Sequence, residues 1–144
     1  MSDTNIKTVQ TIYGHFGRGD IPAMFDYMTD DVTFGIDGRV EDLDMYGIRH
    51  GKTGVASFFS DLAATQSTDE FEPQEFVAVG NRVLVWGRIA WTMCNNGRAG
   101  ENGFLHVFTF RGDKCCGWRG HVDTAMLAAV AKLPSPAARR SANG

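Results

Sequence analysis

A chain of 144 residues with 43% hydrophobic and 22% charged residues suits one globular domain, able to bury about two-thirds of its unfolded surface. A net charge of −3 and a pI near 5.7 give no electrostatic reason to expect nucleic acid or an anionic membrane. No run approaches the ~20 apolar residues that cross a bilayer, and the polar start Met1-Ser2-Asp3-Thr4-Asn5 lacks a signal-peptide pattern, so a cytoplasmic protein is expected.

Ile6, Val9, Ile12, Tyr13 and Phe16 recur at helical spacing, and Gly17 and Gly19 are candidate stops. Asp20 can cap a second, short helix with Pro22 in its first turn and Met24, Phe25 and Met28 along it. Asp31 to Ile36 alternates like a strand. The connection from Asp37 to Gly51, holding Met45, Tyr46 and Ile48, is long for a compact domain, and such loops often cover a site. Val55, Phe58, Phe59 and Leu62 mark a third helix. Strands are then expected over Glu75–Val79, Arg82–Cys94, Gly103–Arg111 and Cys116–Thr124, joined by turns at Gly80-Asn81, Asn95-Asn96-Gly97 and Gly112-Asp113. Helices followed by a meander indicate an α+β fold, helices packed on one curved sheet. The domain is expected to span residues 1–133, with 134–144, Pro-, Ala- and Ser-containing, as a flexible tail.

Cys94, Cys115 and Cys116 have no ligand spacing, since neighbours on a strand point to opposite faces, and they read as small packing residues. An odd cysteine count fits a reducing compartment. With no ligand cluster and no phosphate-cradling glycine loop, neither metal nor organic cofactor is expected.

Asp123 closes Cys116-Gly117-Trp118-Arg119-Gly120-His121-Val122-Asp123 and is followed by the apolar Ala125 to Val130. A carboxylate there is tuned for proton transfer, pinned in an ion pair, or simply an exposed residue turning the chain.

Four segments carry a family resemblance: Gly19-Asp20 between the first two helices, Thr29-Asp30-Asp31-Val32-Thr33-Phe34, Gly51-Lys52 leading to Phe58-Phe59, and Trp118 to Asp123. Over about residues 4 to 130 the chain resembles the NTF2-like superfamily, in the group of SnoaL-type polyketide cyclases, ketosteroid isomerase and limonene epoxide hydrolase. The resemblance implies a cone: three helices in the N-terminal half packed on a strongly curved, mostly antiparallel sheet around a deep apolar pocket. It also implies a homodimer through the outer sheet face and a hydrophobic small-molecule ligand.

Residue by residue, Asp123 matches the last-strand Asp that activates water in the epoxide hydrolase and lies near the general base of SnoaL-like cyclases. Arg88 matches the hydrolase's Arg, but Ala90 stands where that enzyme has its second acid, so epoxide opening by that route loses its proton donor. Against ketosteroid isomerase, Ile36 rather than Asp37 falls at the base position, and Ile12 rather than Tyr13 at the oxyanion-hole Tyr. His106 falls at the protonated acid, where an imidazole N–H can donate to an oxyanion.

Under this alignment three sets face the pocket: Trp86, Arg88 and Ala90; Phe104, His106, Phe108 and Phe110; and Arg119, His121 and Asp123. The catalytic set is then Asp123 as base, His106 as oxyanion donor and Arg88 holding Asp123 charged. The ligand pocket is formed by Tyr13, Phe16, Ile36, Trp86, Phe104, Phe108 and His121, while Trp91 and Trp118 fall on the opposite parity, suited to packing or a subunit interface. Each has a structural alternative: an Arg88–Asp123 ion pair, His106 and Tyr13 as core residues. Two functions follow, a cofactor-independent isomerase or cyclase that abstracts a proton alpha to a carbonyl, or a non-catalytic small-ligand-binding or dimeric interaction module.

Overall fold

The computed structural model describes residues 2–136. The first helix, α1 (Ser2–Gly17), buries Val9 and Ile12 and is followed by Gly19, whose φ of 71° lets the Asp20 N–H turn back to the His15 carbonyl at 2.9 Å. Asp20 then caps α2 (Ile21–Met24), its carboxylate accepting from the Ala23 N–H at 3.3 Å, and a 3-10 turn (Phe25–Tyr27) leads into β1 (Met28–Ile36). Inward Val32, Phe34 and Ile36 of β1 are buried.

The next connection is shorter than the sequence suggests, because four of its residues form β2 (Gly47–His50), which pairs with β1 through Ile48, Arg49 and His50. Met45 and Tyr46, expected as lid residues, are buried. The Arg49 guanidinium donates to Asp61 at 2.6 Å and Ser57 at 2.9 Å on α3 (Gly51–Thr65), and to the Asp44 carbonyl in the connection, tying these parts together.

Four long strands follow: β3 (Gln66–Val79), β4 (Arg82–Met93), β5 (Ala99–Arg111) and β6 (Lys114–His121). The six strands form one sheet in the order β2-β1-β6-β5-β4-β3, antiparallel throughout except for the parallel β1–β6 pair. Register shifts in β3 near Asp69 and Gln74, and between β5 and β6 at Thr109/Phe110, bend the strands and curl the sheet around α1 and α3. Inner glycines give room to large rings: a Cβ on Gly87 would lie 2.5 Å from the Phe104 ring.

β3 begins at Gln66, nine residues before the strand expected from sequence, because its first half is polar and its bulges break the alternation. The last strand ends at His121, and the apolar run after it is a fourth helix, α4 (Thr124–Ala131), that buries Leu127 and Ala128. No helix among the described residues is long and apolar enough to cross a membrane. Of the tail expected over 134–144, residues from 137 on lie outside the described residues.

Candidate functional site

Strand register decides which side chains meet inside. On β4 the buried set is Val83, Val85, Trp91 and Met93, while Trp86, on the other parity, is 40% exposed. Directly opposed residues share a face, so Val85 opposite His106 places Phe104, His106 and Phe108 of β5 inward. His106 opposite Gly120 and Phe108 opposite Trp118 then turn Trp118 inward, and Leu105 opposite His121 turns His121 outward.

These strands and the two long helices enclose a cavity of about 80 Å³. Its wall includes Tyr13 and Phe16 of α1, Phe34 and Ile36 of β1, Phe58 and Phe59 of α3, Trp91, Phe104, Phe108 and Trp118, with Met45 from the connection and Val122 from beyond β6. The rings pack on one another: Phe34 stacks on Trp118 at 4.5 Å between centroids, and Phe71 on Phe104 at 5.1 Å. Among the described residues no Asp, Glu, Lys or Arg lines it; the polar groups are on Tyr13, His106, Gln66, Thr68 and Asn102, with the indoles of Trp91 and Trp118.

Tyr13 and His106 form a pair, the phenol oxygen 2.8 Å from the imidazole Nδ1. His106 lies against Phe104, 4.1 Å between centroids, and edge-on to Trp118 at 4.8 Å. Burial pushes the imidazole down to about 3, the nearby His121 adding to the effect, so the ring is neutral at physiological pH. Burial likewise pushes the Tyr13 phenol up, so it keeps its proton. The neutral pair therefore holds two polar hydrogens, one of which bridges the two side chains. If Tyr13 donates to Nδ1, Nε2–H remains; if Nδ1–H donates, the phenol hydrogen remains. Either tautomer leaves one donor and one acceptor for a partner. Farther along the wall, the Trp91 indole N–H donates to Asn102 Oδ1 at 2.7 Å, and Asn102 Nδ2 donates to the Gly103 carbonyl at 2.8 Å.

The remaining expected residues lie elsewhere. Arg88 projects from the outer face, where its guanidinium donates to Glu72 and Glu101, each at 2.6 Å, and to Glu70. Those carboxylates, not Asp123, are its partners. Trp86 and His121, expected in the pocket, are exposed outer-face residues. Asp123 is exposed and caps α4, its carboxylate accepting from the Met126 N–H at 3.0 Å. The expectation for β4 and β6 is corrected by one residue of parity: the polar faces are outside, and Trp91 and Trp118, assigned to packing, line the cavity. The signal was present, since Arg82, Arg88 and Thr92 share parity with Trp86, against Val83, Val85 and Trp91. Gln66 and Asn102 were missed because both sit in polar stretches without alternation.

Tyr46 shows how the connection is fixed. Its phenol donates to the Thr124 carbonyl at 2.8 Å, and its pKa is raised by burial and by the charges of Asp42 and Asp123. Cys115 is buried, and burial pushes its thiol up to about 12. Among the described residues no three His, Cys, Asp or Glu side chains gather as metal ligands.

Comparison with known proteins agrees with this architecture. The family model of the SnoaL-like domain matches residues 9–118. A search of curated proteins finds no match. Among solved structures, an NTF2-like protein of Burkholderia xenovorans LB400 is 26% identical with a TM-score of 0.82, the match covering 92% of this chain and 98% of that one. An NTF2-like protein of unknown function from Burkholderia pseudomallei K96243 is 27% identical with a TM-score of 0.82, covering 92% and 100%. TerC, co-crystallised with polyporic acid, shares the fold at 23% identity and a TM-score of 0.82, covering 90% and 99%. With a cone of matching topology and a family match over most of its length, the chain belongs to the SnoaL-like domain family of the NTF2-like superfamily.

Proposed function

We propose that this protein takes up a small, mainly apolar or aromatic molecule and holds one of its oxygen atoms at the Tyr13–His106 pair. The observation that carries this reading is a neutral, hydrogen-bonded phenol–imidazole pair in the wall of a mainly apolar, aromatic-rich cavity that no charged side chain among the described residues lines. A carbonyl oxygen would accept the pair's spare hydrogen, and a hydroxyl would use its spare acceptor as well. Rings such as Phe104, Phe108 and Trp118 supply apolar contact area, and the dry surroundings strengthen the polar contact.

Cofactor-independent isomerisation or cyclisation of a hydrophobic carbonyl compound is the second reading, supported by membership of the SnoaL-like family. It requires a base. Asp123 faces solvent and caps a helix, and Arg88 is taken up by glutamates, so the base would be His106. No carboxylate among the described residues lines the cavity, and burial holds the His106 ring below its ordinary value, so binding is the reading these observations favour. Pairing of two copies through the outer face, where Trp86 is exposed, is a further expectation that size-exclusion chromatography would check.

Trp91 and Trp118 give the binding site an intrinsic reporter. Titration with 2-naphthol should quench tryptophan fluorescence saturably, and Tyr13→Phe or His106→Leu should each weaken binding about tenfold, the value of one hydrogen bond in a dry site. No saturable quenching, or equal affinity in all three proteins, would refute the proposal.

A further inference from the structure

Among the described residues, three buried side-chain polar atoms have no hydrogen-bond partner: Thr29 Oγ1, Arg98 Nη2 and Gln66 Oε1. Of these residues only Gln66 lines the cavity. It is 5% exposed, so bulk water does not serve its amide. Its position is set by the backbone: Gln66 is the first residue of β3, its N–H donating to the Leu62 carbonyl at the end of α3, and it lies opposite Met93 at the far end of β4. His106 lies opposite Val85, much nearer the start of β4. Gln66 therefore sits well apart from the Tyr13–His106 pair along that strand, beyond the bonded Trp91 and Asn102, and unlike either pair it is a lone amide.

An unpartnered amide oxygen in an apolar wall costs stability, and a residue such as Leu or Met would fill the same space without that cost. Asn102, on the same wall, is engaged through both ends of its amide, so the neighbourhood can satisfy an amide where it is built to. Resting on the binding function proposed above, we infer that Gln66 recognises a hydroxyl group of the bound molecule, at the end remote from the oxygen held by Tyr13–His106. A hydroxyl both donates and accepts, so it pairs with the amide in either orientation of the side chain. The substrate class narrows accordingly, from an apolar compound with one oxygen function to an aromatic or alicyclic compound with oxygen functions at both ends.

Two matched probe pairs test this: 2-naphthol with 2,6-dihydroxynaphthalene, and 4-phenylphenol with 4,4′-dihydroxybiphenyl, each titrated against the wild-type protein and Gln66→Met. The wild type should bind the diol of at least one pair about tenfold more tightly than its mono-ol, and Gln66→Met should erase that preference, bringing the two affinities of each pair to within about twofold of one another. If mono-ols bind but both pairs show equal affinities in the wild type, or the preference survives in Gln66→Met, this inference falls and the binding function stands. If no probe binds either protein, the binding function falls and takes this inference with it. A ligand-free melt adds an independent reading. Gln66→Met should match or exceed the wild-type Tm by about 2 °C, because an orphan acceptor has been removed. A fall of several degrees would mean that Gln66 serves the fold, overturning the inference whatever the titrations show.

Discussion

The two faces of the same strands carry opposite chemistries. Inside, His106 sits among Phe104, Phe108 and Trp118, uncharged and bonded to a phenol. Outside, on β4, Arg88 meets three glutamates in water, and past the end of β6 Asp123 spends its charge on a helix terminus. The contrast follows from desolvation. A lone carboxylate or guanidinium in the aromatic cavity would cost several kcal/mol, whereas a neutral imidazole bonded to a phenol costs far less. A titratable residue is thus a guide to function here only with the face it occupies, and in this molecule the ionised groups knit the shell while the neutral ones face the cavity.

The comparison breaks most visibly where the inner face is emptied. Phe108→Ala, removing a fully buried ring beside Tyr13, should cost about 3–5 kcal/mol in chemical denaturation. Acid should reach the inner face next. The folded-state pKa of His106 lies below the unfolded value of about 6.5, so its contribution is present above pH 6.5 and is lost as pH falls toward about 3, the unfolded chain taking the proton first. Stability should drop by about 2 kcal/mol between pH 7 and pH 5, and His106→Leu should flatten this part of the profile. Asp31 and Asp69, whose carboxyls are held below the usual range by Arg111 and by Thr92 with Ser67, titrate at lower pH and leave that window to His106.

On the outer face the expected losses are smaller. Asp123→Ala should cost about 1 kcal/mol through the lost cap of α4, and Asp123→Asn should restore it, because an amide oxygen also caps. Arg88→Gln should give the smallest change, with a denaturation midpoint that shifts less in high salt than in low, as screening weakens the exposed pairs. A loss on Arg88→Gln comparable with that on Phe108→Ala would erase the distinction between the faces.

Much of this was legible in the residues. The apolar stripe of α1, the Asp20 cap, the alternation of β1 and β5 and the turns at Gly80 and Gly112 all obey local rules, and both turn glycines take positive φ, 58° and 65°. The cavity positions of Tyr13, Phe16, Ile36, Phe104, His106 and Phe108 could be read because apolar side chains mark the inner face there. Asp123 was harder. Its role as an N-cap depends on where β6 stops, and the apolar residues after it suit a strand as well as a short helix until the rest of the fold decides. Family position points Arg88 inward, against the alternation of its own strand. Gln66 could not be read at all, since bulges and polar residues around it hide which way β3 faces.

The most direct test of the account compares the faces in a single assay: 2-naphthol affinity, read from tryptophan quenching, for the wild type, His106→Leu and Asp123→Asn. Affinity should fall about tenfold in His106→Leu and remain within experimental error of wild type in Asp123→Asn. Loss of binding in Asp123→Asn, with His106→Leu unaffected, would contradict it and return the function to the outer carboxylate.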